Sequence, residues 1–166
     1  MIRIFKPETN ERYTAYIYNN ITNKKIPFIS MPQNISESIS ATFTQQAIVG
    51  ASVPRVVYSN TSAKTMGLSL QNVTEDYLPQ GYNSLREYTK AFQALVYPTY
   101  SASGIVTSPN MTLVLGDRSM KCVCTNVNIT WGSLVREQQI ISCNIDLQLL
   151  MTRPSVPGAT DVELIG

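Results

Sequence analysis

The chain contains no histidine. Ser-His-Asp and Cys-His arrangements are therefore excluded, and with them the common routes to an activated nucleophile. Glycine is scarce, at 8 of 166 residues, and no Walker or Rossmann glycine pattern occurs. Charged residues make up 14% of the chain with a net charge of +2, where about a quarter is usual. The only basic pair of note, Lys24-Lys25, lies in a turn and is too small to argue for nucleic acid. No apolar run approaches the length of a membrane span. The segment Met1-Ile2-Arg3-Ile4-Phe5-Lys6-Pro7 lacks the apolar stretch of a signal peptide, so synthesis and folding in a cytoplasm are expected.

Carboxylates are few and scattered. Glu75-Asp76 is the one adjacent pair, in a loop just before a helix, where a solvated role outweighs an acid–base one. Three cysteines are present. Cys122 and Cys124, two apart on a strand, share one face. These two with Cys143 and a carboxylate are a conceivable zinc set, but reduced structural cysteines fit better. Six Asn-x-Ser/Thr triplets, at Asn20, Asn34, Asn60, Asn72, Asn110 and Asn128, are what a chain rich in these residues yields by composition. No catalytic, cofactor-binding or metal-binding residue is nominated, no cofactor is implied, and the chain reads as a non-enzyme.

What is present is polar without being charged: Thr, Ser, Asn and Gln fill the polar positions. Such a surface suits a subunit packed against neighbours, or simply a neutral β-protein surface. The length fits one domain able to bury a core.

The patterns are those of strands. Residues 12–18 alternate in a strand with two usable faces. Ile26-Pro27-Phe28-Ile29 is a short strand that Pro27 places at an edge or a strand start. Residues 36–48 predict one longer strand, broken by Gly50. Residues 53–58 form another. Over residues 64–73, Met66, Leu68 and Leu70 line one face. After a loop over residues 101–109 come strands over 111–115, 120–131 and 140–150. In the second, Val123, Val127, Ile129 and Trp131 are expected on one face. In the third, Ile141, Cys143, Ile145, Leu147 and Leu149 are.

One helix interrupts the strands. Ser84 with Glu87 matches a capping box. Leu85, Tyr88, Phe92 and Leu95 then recur as a single apolar stripe, expected to pack on a sheet rather than on a partner. Pro98 ends the helix. Strands, one helix and strands, without βαβ alternation, predict an antiparallel sandwich or barrel with one helix against it. A small-ligand β-barrel remains open, because barrel interiors look like any other core.

Residues 26–150 carry an ordered series of motifs: Gly50-Ala51-Ser52-Val53-Pro54-Arg55-Val56-Val57-Tyr58, then Lys64-Thr65-Met66-Gly67-Leu68-Ser69-Leu70. The helix closes in Leu95-Val96-Tyr97-Pro98-Thr99-Tyr100. Then follow Ser108-Pro109, Met111-Thr112-Leu113-Val114-Leu115-Gly116, the stretch from Val123 to Val127-Asn128-Ile129-Thr130-Trp131, and the amphipathic strand over 140–150. The series resembles the tail-tube-like baseplate proteins of contractile phage tails, the group often fused to a LysM module. No LysM-like module follows residue 150, and residues 1–25 do not align with the group.

The resemblance implies an antiparallel β-sandwich or split barrel of the phage tail-tube type with one flanking α-helix; the residue pattern extends this domain over residues 1–150, with extra N-terminal strands in 1–25. Residues 151–166 are expected to form an extended C-terminal arm that reaches a neighbour. The implied function is that of a structural virion protein in a six-fold arrangement: a baseplate or tube-initiator component linking tail tube or hub to wedge proteins. The major tail-tube subunit is the alternative within this class. Another class is a monomeric small-ligand-binding β-barrel. The implied location is the virion tail, with no membrane and no specific nucleic-acid partner.

Overall fold

The structure is a computed structural model, described for residues 15–107 and 109–152. Its centre is a seven-stranded antiparallel sheet in the order β2-β1-β9-β10-β13-β6-β3. The strands are β1 (Ala15–Asn19), β2 (Lys24–Pro27), β3 (Gln33–Ser38), β6 (Thr65–Thr74), β9 (Met111–Leu115), β10 (Arg118–Trp131) and β13 (Ser142–Met151). Three two-stranded ribbons stand outside it. They are β4 (Ala41–Gln46) with β5 (Arg55–Thr61), β7 (Thr99–Tyr100) with β8 (Val106–Thr107), and β11 (Val135–Arg136) with β12 (Gln139–Ile140). The described residues are mainly β and antiparallel with one α-helix, as the patterning predicts. Pro27 lies on an edge strand, also as predicted.

The helix α1 (Leu85–Gln93) covers one face of the sheet. Its stripe is buried in full: Leu85, Tyr88, Phe92 and, in the 3-10 turn that follows, Leu95. At its start the Glu87 N–H donates to Ser84 Oγ at 3.2 Å. The return bond differs from a capping box, since Glu87 Oε2 accepts from the N–H of Asn83, one residue earlier, at 3.1 Å. Opposite the helix, Ile17, Met66, Leu68, Leu70, Leu113, Ile145 and Leu147 complete the apolar layer.

Two irregularities keep that layer apolar. In β10 the register slips between Cys124 and Asn126, so that Cys124 faces Leu149 and Val127 faces Leu147. The extra residue, Thr125, donates its hydroxyl to the carbonyl of Gln148 at 3.1 Å. A bulge reverses the parity of the side chains beyond it. Before it Cys122 and Cys124 are buried; after it Val127 and Ile129 pack on the core. The expectation that Val123 shares a face with Val127, Ile129 and Trp131 is thereby corrected. In β6 a second slip lets Val73 follow Leu70 into the core. There Asn72 sits at φ 56°, and its N–H donates to Asn144 Oδ1 at 2.9 Å.

The single strand expected over residues 36–48 is two. β3 and β4, with β6 and β5 as partners, form one long ribbon broken at Ser40 and Ser62. The Ser62 N–H still reaches the Ser40 carbonyl at 2.7 Å. The Ser40 N–H is taken by the Ser62 hydroxyl at 3.0 Å instead of by a ladder carbonyl. Beyond that break β4–β5 leaves the sheet. The loop expected over 101–109 contains β8, which pairs with β7 just before it, and Ile140 belongs to the β11–β12 ribbon rather than to β13.

At the end of β13, the Met151 N–H donates to the carbonyl of Lys64 at 2.8 Å and the Thr152 N–H to that of Lys121 at 3.1 Å. Glu37 of β3 sits at the same end, paired with Lys64 at 2.6 Å and Arg118 at 3.2 Å. The strands expected before residue 15, and the arm beyond residue 152, lie outside the described residues.

Candidate functional site

The surface, rather than any enclosed pocket, holds the unusual chemistry. From residue 33 to residue 63 no residue is buried, and only Val57 is even half-buried. Yet the β4–β5 ribbon is amphipathic. Phe43 pairs with Tyr58 across it, the rings meeting edge-on with centroids 5.8 Å apart. Val56, two residues from Tyr58, lies on the same face. These three side chains are 56%, 55% and 58% exposed respectively for Phe43, Tyr58 and Val56. The tip adds Val49 and Val53, both largely exposed. A two-stranded ribbon alone is marginal in water, and a contiguous exposed apolar surface marks an interaction site.

The smaller ribbons repeat the pattern. Val106 on β8 and Val135 on β11 are exposed, as are the nearby Tyr100 and Leu134. The β11–β12 turn holds Glu137 and Gln138 both at positive φ, 49° and 67°, the geometry of a tight hairpin turn that Asn-Gly fills with less strain. Arg136 ties this ribbon to Asp76 through two bonds of 2.9 and 3.1 Å. The guanidinium hydrogen bonds hold the Asp76 carboxyl below its ordinary range. The Glu75-Asp76 pair is thus a solvated pair whose Asp braces a loop.

The sheet face away from the helix is polar. One cross-strand row runs Ser36, Gly67, Gln148, Asn126; the next runs Gln33, Ser69, Asp146, Asn128. Asp146 is the one charge in these rows. A Cβ on Gly67 would meet Ser36 Oγ at 2.9 Å and Gln148 Nε2 at 3.2 Å, so the neighbours already fill its place. A shallow open depression lies over these rows, lined by Asn34, Ser69, Gln71 and Asn128 among others. On the opposite face the interior is occupied by packed side chains.

The cysteines lie in or against the core, all three buried and free. Burial pushes the Cys122 thiol up to about 12, and those of Cys124 and Cys143 to about 11. Among the described residues no group of three or more His, Cys, Asp or Glu side chains is placed to hold a metal ion. No described helix is long and apolar enough to cross a membrane. The basic pair expected in a turn lies instead on β2, where Lys25 sits over the Tyr16 ring, 4.0 Å from its centroid.

Sequence patterning missed the projecting ribbon because alternation reads alike in a core strand and in an unpartnered one. The signal available was compositional: residues 33–48 carry only three large apolar side chains before Ile48, namely Ile35, Ile39 and Phe43.

No protein-family model matches the sequence, and no curated protein matches it. Among solved structures, a chain in the C6-symmetric tail of an empty gene transfer agent particle is similar at TM-score 0.43 and 10% identity, over 89% of this chain and 98% of that one. A chain in the sheath–tube complex of an extracellular contractile injection system, in its extended state, is similar at TM-score 0.39 and 16% identity, over 90% of each chain. A chain in the anti-feeding prophage baseplate is similar at TM-score 0.38 and 12% identity, over 89% of this chain and 93% of that one. Likeness of this degree identifies neither family nor function.

Proposed function

We propose that this protein is a structural subunit of a contractile phage tail, located in the virion and present in a six-fold arrangement. Within the tail it acts as a baseplate or tube-initiating component that links the tail tube or hub to surrounding baseplate proteins. It has no catalytic role. The observation that carries this reading is the β4–β5 ribbon, which holds an apolar face of Phe43, Val56 and Tyr58 away from any core of its own. A neighbouring copy that covers this face removes the apolar surface from water. The ordered motifs over residues 26–150, similar to those of tail-tube-like baseplate proteins, support the same role. The polar, nearly uncharged rows of β3, β6, β13 and β10 suit a solvated channel wall.

The major tail-tube subunit is the second reading in this class. It would stack on identical copies at both ends, whereas an initiator has two different partners. The small-ligand barrel finds less support, because side chains fill the interior and the one depression described is open and polar.

The ribbon tests the reading. Replacing residues 41–61 by a short turn removes no buried side chain. The variant should keep its melting temperature and lose association with other copies. An assembly unaffected by that replacement would contradict the role given to the ribbon.

A further inference from the structure

The two outer strands of the main sheet are not equivalent. β2 spans four residues, carries Lys24 and Lys25, and ends in Pro27, whose nitrogen has no proton to give. Shortness, lysine and proline are devices that keep an edge from pairing with another chain. β3 spans six residues, contains neither lysine nor proline, and is exposed throughout. Its Ile35, with Ile39 just beyond its end, shares the parity of Glu37, the partner of the core residue Met66. These two isoleucines are 41% and 58% exposed. They extend the apolar side of the sheet to an edge that no described strand covers. Ser36 and Ser38 alternate with them on the polar side.

We propose that the edge of β3 receives residues 160–165 of a neighbouring copy as an added strand. This rests on the assembly reading above and names the contact that joins one copy to the next. The described chain stops at Thr152, held beside Lys121 and next to Lys64. That is the end of the sheet where β3 finishes, since Ser38 pairs with Thr65. The sequence beyond carries Pro154 and Pro157, which favour an extended path. At about 3.1 Å per residue, residues 153–159 reach about 22 Å. The outer side of β3 is three strand spacings from β13, about 14 Å. That reach exceeds the distance to the chain's own β3 edge, so the linker is long enough for the segment to leave its own subunit, and the one-chain arm of the test below separates the two cases. There Val162 and Leu164 alternate with Asp161 and Glu163, a one-faced strand pattern. Placed along β3, Val162 and Leu164 cover Ile35 and Ile39, and the two carboxylates lie on the polar side with Ser36 and Ser38. Backbone hydrogen bonds supply affinity and the alternate side chains supply choice. The contact joins two different surfaces, the kind of interface that makes a ring when its rotation closes and a filament when it does not.

The test uses two full-length proteins, one carrying Ser36→Cys and the other Glu163→Cys. The native thiols are buried, and a link formed in the mixture joins two copies by construction. Mild oxidation of the mixture should yield a disulfide-linked pair containing one of each. The same experiment with Lys25→Cys in place of Ser36→Cys, on the opposite edge, should yield none. Absence of the first link overturns the proposal. So does equal linking to β2, or a link found only within one chain when Ser36→Cys and Glu163→Cys are combined in it. Six-fold rings without the link would remove this proposal and leave the assembly reading standing.

Discussion

The hydroxyl of Tyr88 donates to the backbone carbonyl of Pro27 at 2.8 Å inside the core. One bond thereby ties the helix to the edge strand β2. The Tyr88 ring also meets Tyr82 and Phe92 edge-on, each with centroids 5.0 Å apart. Tyr88→Phe keeps the ring and takes the donor from a buried carbonyl, at an expected cost of about 1–2 kcal/mol. Urea unfolding should show a lower midpoint with an unchanged slope. An unchanged midpoint would show that this bond contributes nothing to the hold on β2.

Phe92 is fully buried and stacks on Phe28 with centroids 6.0 Å apart. Phe92→Ala removes a ring that the surroundings cannot replace, and should cost about 3–5 kcal/mol. The measurement is thermal melting. A variant that melts with the parent would mean that the helix stripe is not part of the core.

The core was legible in the sequence because burial imposes periodicity. The stripe from Leu85 to Leu95 and the alternation from Cys143 to Leu149 are direct records of one covered face each. Thr125 and Asn72 were not legible. A bulge adds one residue and reverses parity, and nothing in the composition around Cys124 marks where the slip falls. The break at Ser40 was hidden for a related reason. It depends on a hydroxyl of Ser62, distant in sequence, taking a bond that the ladder gives up. The ribbon face of Phe43, Val56 and Tyr58 shows the further limit, since a pattern says which residues share a face and not what covers it.

Glu37 accepts a hydrogen bond from Lys64, and the charges of Lys64 and Arg118 act in the same direction. Together they hold its carboxyl below the ordinary range against a smaller effect of burial. The lowered value in the folded protein means that this stabilisation is complete above the ordinary carboxylate pKa of about 4.3. It is lost as pH falls through the lower folded-state value. Glu37→Gln should therefore be less sensitive than the parent over that acid window. Stability measured from pH 6 downwards checks this, and parallel curves for the two proteins would contradict it.

The three thiols, raised to about 11 or 12 by burial, carry almost no thiolate at pH 8. Labelling by a thiol reagent should be slow in the native protein and complete once denaturant is added. Elemental analysis should find no bound zinc. Rapid native labelling, or zinc in stoichiometric amount, would contradict a purely structural role for Cys122, Cys124 and Cys143.

In the proposed role this chain works as one copy among several, with its ribbon and its open sheet edge covered by neighbours. The most direct measurement is the mass of the purified protein in solution, taken together with its copy number in intact particles. Association into a ring, or a copy number in multiples of six, is the expected result. A stable monomer that retains a small molecule and is absent from particles would contradict it.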